Sequence, residues 1–154
     1  MVVLARDHLA REAEPPYGGQ ARLPGLHAPV TVTFGAHAVP HVRAASSRDL
    51  FFAQGYLVAR ERLWQMDLLR RMARGRLAEV AGPRAVAVDR LFRLVGLETA
   101  ARASIPLIGE EVQSYLQAYA EGVNAYRREA ERRLPLEYRL SGETPQPWET
   151  VDSA

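Results

Sequence analysis

The sequence predicts a mainly helical chain with a short N-terminal pair of β-strands. Three observations carry that reading. From Arg48 onward apolar residues recur mostly three and four positions apart. Val30–Phe34, "VTVTF", instead alternates at the period of two expected for a strand. Helix start and stop signals also fall at the edges of the periodic segments. Composition agrees: of 154 residues, 47% are apolar and 25% charged, as in folded globular proteins.

Taken in order, residues 1–29 read as an extended N-terminal arm. A helix-prone start is followed by "EPPYGGQARLPGLHAP", whose Pro and Gly content predicts extended, partly mobile backbone. Two short strands should flank a turn at Gly35–Ala38. Pro40 cannot donate to a ladder, so the second strand lies at an edge or begins there. "SSRD" has capping-box spacing, with Ser46 as N-cap and Asp49 three residues on. A long helix is predicted from about Arg48 to Ala73, broken by Gly75, then a short helical turn at Leu77–Val80 ending at Gly82. "AVAVDRLFRLVGLETAARAS" reads as one helix stopped before Pro106. In the next helix Val112, Tyr115, Leu116, Tyr119, Val123 and Tyr126 share a stripe. Its acids, Glu110 and Glu111, open it and arginines close it, as the helix dipole favours. The tail, "LPLEYRLSGETPQPWETVDSA", reads as Pro-punctuated loop. Residues 30–154 thus form one helical region, expected to be incomplete without a partner.

The long helix carries that last expectation. On a helical wheel, Phe51, Phe52, Val58, Ala59, Leu63, Met66 and Leu69 cover one broad face. Leu50, Leu57, Trp64 and Leu68 make a second apolar strip. A row of Arg60, Asp67, Arg71 and Arg74 runs between them, and Gln54, Glu61 and Gln65 fill the remaining gap. A helix apolar on several sides is buried between layers, and the few remaining helices cannot easily cover both sides. Asp67 can reach Arg70 or Arg71 at helical spacing, with Arg60 and Arg74 approaching from either end. Buried, such a row must be internally paired; solvated, it is a face of weak pairs. Spacing alone does not choose between the two.

The rest of the chemistry is mostly exclusion. Net charge is only +2 and all 20 basic residues are arginine, which sets no field toward nucleic acid or anionic lipid. Arginine and aromatics do not interleave as a single-strand platform requires. Zero cysteines exclude disulfides and thiolate sites within the chain. His8, His27, His37 and His41 lack metal spacing, because Pro40 separates the last two in an extended segment; His41 reads as a hydrogen-bonded structural histidine. No nucleophile elbow, no S-x-x-K and no phosphate-binding glycine loop occurs. Glu79, Asp89, Glu110 and Glu111 sit where capping or ion pairing explains them. No stretch reaches membrane-spanning length, and the start does not read as a signal peptide.

The segment "VPHVRAASSRDLFFAQGYLVARERLWQMDLLRRMARGRLAEVAG" resembles the N-terminal part of the penicillin acylase (penicillin amidase) family. The family's run there is Gly-Val/Ile-Pro-His, then D-x-x-[FY]-x-x-G-Y, then R-L-W-Q-M-x-x-x-R-R, then G-x-x-A-E-x-x-G. "DRLFRLVGLETAARA", "LQAYAEGVNAY", "LPLEYRL" and "TPQPWETVDS" follow as further landmarks, in order, from roughly Leu23 to Ser153. Departures are Thr33–Phe34 for a polar pair, Ala38 for Gly, and Glu61 for Asp.

The resemblance implies the α-chain part of an αββα N-terminal-nucleophile hydrolase, made as a precursor that cuts itself in two. A large β chain would carry the N-terminal serine nucleophile, and the substrate would be a small N-acyl amide such as a penicillin or an acyl-homoserine lactone. It implies calcium in the complete assembly and a periplasmic or secreted location, and it places the pocket-lining helix and calcium ligand past the last landmark. No residue here is therefore read as catalytic, cofactor-binding or metal-binding, and this chain alone is expected to be inactive. The candidates for interface or structural roles are His41, Arg60, Trp64, Gln65, Asp67, Arg71 and Glu79. The alternative is a non-catalytic remnant or protein-binding module on the same scaffold.

Overall fold

A computed structural model describes residues 18–131 and 134–154. The helix-prone start of the expected arm lies outside them. Thr31–Phe34 (β1) and Pro40–Arg43 (β2) pair antiparallel, Thr31 opposite Arg43 and Phe34 opposite Pro40. Pro40 opens its strand, where a missing N–H costs least. The connection is tight: the Gly35 N–H donates to the Val39 carbonyl at 2.9 Å, while His37 and Ala38 take left-handed φ values of 64° and 56°.

Helix α1 spans Ser47–Ala73. Ser46 Oγ accepts from the Asp49 N–H at 3.1 Å and donates to the Asp49 carboxylate at 3.0 Å, so the cap sits where the sequence put it. Arg62 leaves helical geometry at φ −142°, which breaks the helix near its middle. Gly75 turns the chain at φ 61°. Short α2 (Ala78–Ala81) follows, then α3 (Val86–Val95) and α4 (Leu97–Ser104). The sequence predicts one helix across these last two. Gly96 divides them at φ 74°, ending α3 in a left-handed cap that glycine adopts without a Cβ penalty. Helix α5 spans Glu110–Ala130. The expected tail loop contains α6 (Leu136–Ser141), ended by Gly142 at φ 72°, and a 3-10 turn at Thr150–Ser153. Both form because buried Tyr138 and Val151 anchor them to the core.

The core is the crossing of α1 and α5, whose backbones touch. A Cβ on Gly55 would collide with the Tyr119 carbonyl oxygen, and one on Gly122 with the Phe52 carbonyl oxygen. Two glycines in helix interiors weaken each helix alone, so their return comes from this approach. Phe52, Ala59, Leu63, Ala118, Ala120, Val123 and Tyr126 fill the contact, and Tyr138 and Trp148 close one end. At the other end Leu23 and Leu26 pack beside Phe52. The Asp49 carboxylate accepts the His27 N–H at 2.9 Å, and Arg48 donates to the Gly25 carbonyl at 2.7 Å, which ties residues 25–27 to the head of α1. That His27 N–H bond, first among several, holds the buried Asp49 carboxyl below its ordinary value.

Candidate functional site

The buried side of α1 changes chemistry midway. Phe52, Ala59 and Leu63 are followed on the same stripe by Asp67 and Arg70, with Arg71 alongside, all buried. Asp67 accepts from Arg70 Nη2 at 2.5 Å and from Arg71 Nε at 3.1 Å. Arg71 also donates to Glu79 at 2.8 Å and Glu143 at 3.1 Å. Burial works against the Arg71 charge, but the Asp67 and Glu143 carboxylates outweigh it and raise its pKa. Arg74 reaches Asp152 at 2.8 Å and Glu149 at 3.1 Å. Arg102 of α4 donates to the same Glu149 and holds its carboxyl below the ordinary range. The charged row is therefore a buried, internally paired cluster, of the two readings the spacing leaves open. Its partners come from this chain's own α2, α4 and tail. Glu79, Glu143, Gln146, Pro147 and Glu149 surround, with the arginines of α1, a polar cavity of 270 Å³.

The cluster continues into a clamp on the tail. Arg70 Nη1 donates to the Pro147 carbonyl at 2.8 Å, and its guanidinium stacks over the Trp148 ring at 5.2 Å. Asn124 of α5 both donates to the Trp148 carbonyl and accepts its N–H, each at 2.8 Å. Trp148 Nε1 donates to Ser153 Oγ at 2.9 Å. Prolines cannot donate, so side chains hold this segment by its carbonyls.

Beside the clamp, α1 and α5 leave an apolar groove of 690 Å³. Phe51, Met66, Leu69, Tyr115, Leu116 and Trp148 line it. Phe51 and Tyr115 stack in its wall, centroids 4.7 Å apart. Leu69 is 61% exposed and Val112 47%. The groove is lined by part of the broad apolar face that the wheel finds on the long helix.

The named candidates separate accordingly. Asp67, Arg71 and Glu79 meet in the cluster. Trp64 is half-buried and packs edge-on to Tyr138 at 4.8 Å. Arg60 does not approach Asp67 as expected; it lies over the Phe34 ring at 5.6 Å and 3.4 Å from Glu61. Gln65 is exposed. His41 is exposed on β2 opposite Thr33, and its imidazole makes no hydrogen bond among the described residues. The expectation of a bonded structural histidine fails there, because a two-stranded ribbon leaves that position to solvent. Asn124, Glu143 and Asp152 escape sequence reasoning, since their partners lie 24 to 82 positions away. The Asn124–Trp148 pair carries no local signal at all.

No histidine side chain hydrogen-bonds a serine or threonine hydroxyl among the described residues, and no group of three His, Asp or Glu side chains there could hold a metal. The carboxylates of the cluster face guanidinium groups instead. No helix among the described residues is long and apolar enough to cross a membrane.

Against known proteins, the penicillin amidase family model matches residues 29–154. The chain is 42% identical over 137 residues to penicillin acylase 2 proenzyme of Pseudomonas sp. (strain SE83), a match covering 89% of this chain and 18% of that protein. It is 38% identical over 140 residues to acyl-homoserine lactone acylase QuiP of Pseudomonas aeruginosa, covering 91% of this chain and 16% of that one. A solved structure, thermostable penicillin G acylase from Alcaligenes faecalis, superposes with a TM-score of 0.74 at 33% identity, covering 81% of this chain and 68% of that chain. The chain thus spans less than a fifth of the length of these curated relatives.

Proposed function

Because the chain belongs to the penicillin amidase family, we propose that it is the small-subunit portion of a two-chain N-acyl amide hydrolase. The nucleophile is the N-terminal serine of a separate, larger chain. Its hydroxyl oxygen attacks the amide carbonyl, the amine leaves with a proton, and water then hydrolyses the acyl-serine ester with the serine's own α-amine as base. Substrates are penicillins, acyl-homoserine lactones or related N-acyl amides. Calcium in the complete assembly would draw its ligands from outside the described residues.

One contrast supports the reading best. The match covers 68% of the solved penicillin G acylase chain but only 18% of a full-length relative that is itself described as a proenzyme. A small chain released from a longer precursor produces that contrast. The open apolar groove agrees with a chain that contributes surface rather than reacting groups: the larger chain would cover Leu69 and Val112.

Intact-mass analysis and N-terminal sequencing of the protein from its native source test this. The expected result is a second, larger polypeptide beginning with serine, and release of free amine from N-acyl substrates that stops when that serine is replaced by alanine. A lone, inactive 17.1 kDa species would overturn the proposal and favour a non-catalytic module.

A further inference from the structure

Helix α3 leaves most of its apolar side chains outside. Only Asp89 is buried against the body of the protein, Phe92 is half-buried, and the exposed Arg93 reaches back over Gly75. The buried Asp89 carboxylate accepts the Leu77 and Ala78 N–H groups at 2.7 and 2.9 Å, and Arg93 Nε donates to the Gly75 carbonyl at 2.9 Å. Val88, Leu91, Leu94 and Val95 follow at spacings of three and four on the outward side. Leu91 is 57% exposed, Leu94 85% and Val95 58%, and Val86 and Leu97 extend the patch. A helix on a free surface shows the reverse arrangement, with polar groups outward. A contiguous row of large aliphatic side chains marks a surface that something covers.

Along α3 itself the exposed charges have one sign. Arg84 and Arg90 are exposed and neither has a carboxylate partner among the described residues. Between Pro83 and Leu97 the only carboxylate is Asp89, which faces inward. A second copy of the chain would set arginine against arginine, so the complementary face is apolar with carboxylates at its margin. The curated relatives carry more than four-fifths of their length outside the part this chain matches, which supplies a partner large enough to bear such a face.

Resting on the two-chain reading above, we propose that the outward face of α3 is a second docking surface, separate from the groove between α1 and α5, and that an apolar, carboxylate-edged surface of the large chain occupies it. None of its residues lines that groove.

The absence of cysteine makes a single Leu94→Cys variant a clean probe. Maleimide labelling is followed on the protein purified with every polypeptide it carries, natively and in urea. Native labelling at least about tenfold slower than in urea is expected, and adding Arg90→Glu should restore most of the rate. Native and denatured rates within about threefold would overturn the proposal. So would protection that fades on dilution while subunit composition stays constant (a second copy), or protection seen only with anionic vesicles (a membrane surface). N-terminal sequencing of the same sample separates the two readings. A larger serine-initiated chain with Leu94→Cys freely labelled refutes the docking surface alone, whereas no larger chain refutes both.

Discussion

Ala38 holds a left-handed backbone, φ 56°, in the turn between the strands. A Cβ there costs about 1–2 kcal/mol, and this is the position where the family pattern has glycine. Ala38→Gly should therefore stabilise the protein, by about 0.5–1 kcal/mol once the greater freedom of glycine in the unfolded chain is subtracted. A rise in urea midpoint with unchanged slope would show it; an unchanged or lower midpoint would refute it. Asn124 shows the opposite case at the same scale. Its amide satisfies both backbone groups of Trp148 at 2.8 Å, a role that its neighbours in sequence do not announce.

Between elements, the decisive contact is the crossing of α1 and α5. Close approach requires that neither Gly55 nor Gly122 carry a side chain, because backbone carbonyls stand opposite both. Gly122→Ala should cost about 1–3 kcal/mol or more, as overpacking does in a dense core. Gly109→Ala is the control: nothing lies within 4 Å of its Cβ position, and the N-cap preference it loses is largely offset by the smaller freedom of alanine in the unfolded chain, so a net change of about 0.5 kcal/mol or less is expected. Equal thermal shifts for the two variants would mean that the helices do not meet as described.

Across the whole molecule, the ionic cluster links α1, α2, α4 and the tail through Asp67, Arg71, Arg74 and Asp152. Asp67 is its centre, 2% exposed with two guanidinium partners. Asp67→Ala leaves Arg70 and Arg71 buried beside a missing carboxylate, at a cost of about 3–5 kcal/mol. Because Arg70 also holds Pro147, amide exchange at Trp148 and Asp152, whose N–H groups are hydrogen-bonded, should accelerate along with the fall in melting temperature. Arg76→Ala, which removes a half-exposed pair with Glu79, should move either measurement very little. If both variants behave alike, the cluster does not brace the molecule.

The sequence by itself determined what neighbouring residues can determine. It yields the strand pair around Gly35–Ala38, the Ser46 cap, the breaks at Gly75 and Gly82, the stripe of α5 and the charged row on α1. The ordered motifs that carry the family also lie in it. Tertiary structure decided which of those features face inward. Gly96 ends a helix whereas Gly55 and Gly122 continue theirs, because only the latter two meet another backbone. The row through Asp67 is buried because Glu143, Glu149 and Asp152 arrive from more than seventy positions away, and a wheel drawn for one helix contains none of them. The apolar side of α3 points outward for a similar reason: the bonds that orient it run from Asp89 and Arg93 to backbone at Gly75, Leu77 and Ala78. Periodicity records that a helix has two faces, but which one meets solvent depends on contacts made across the chain.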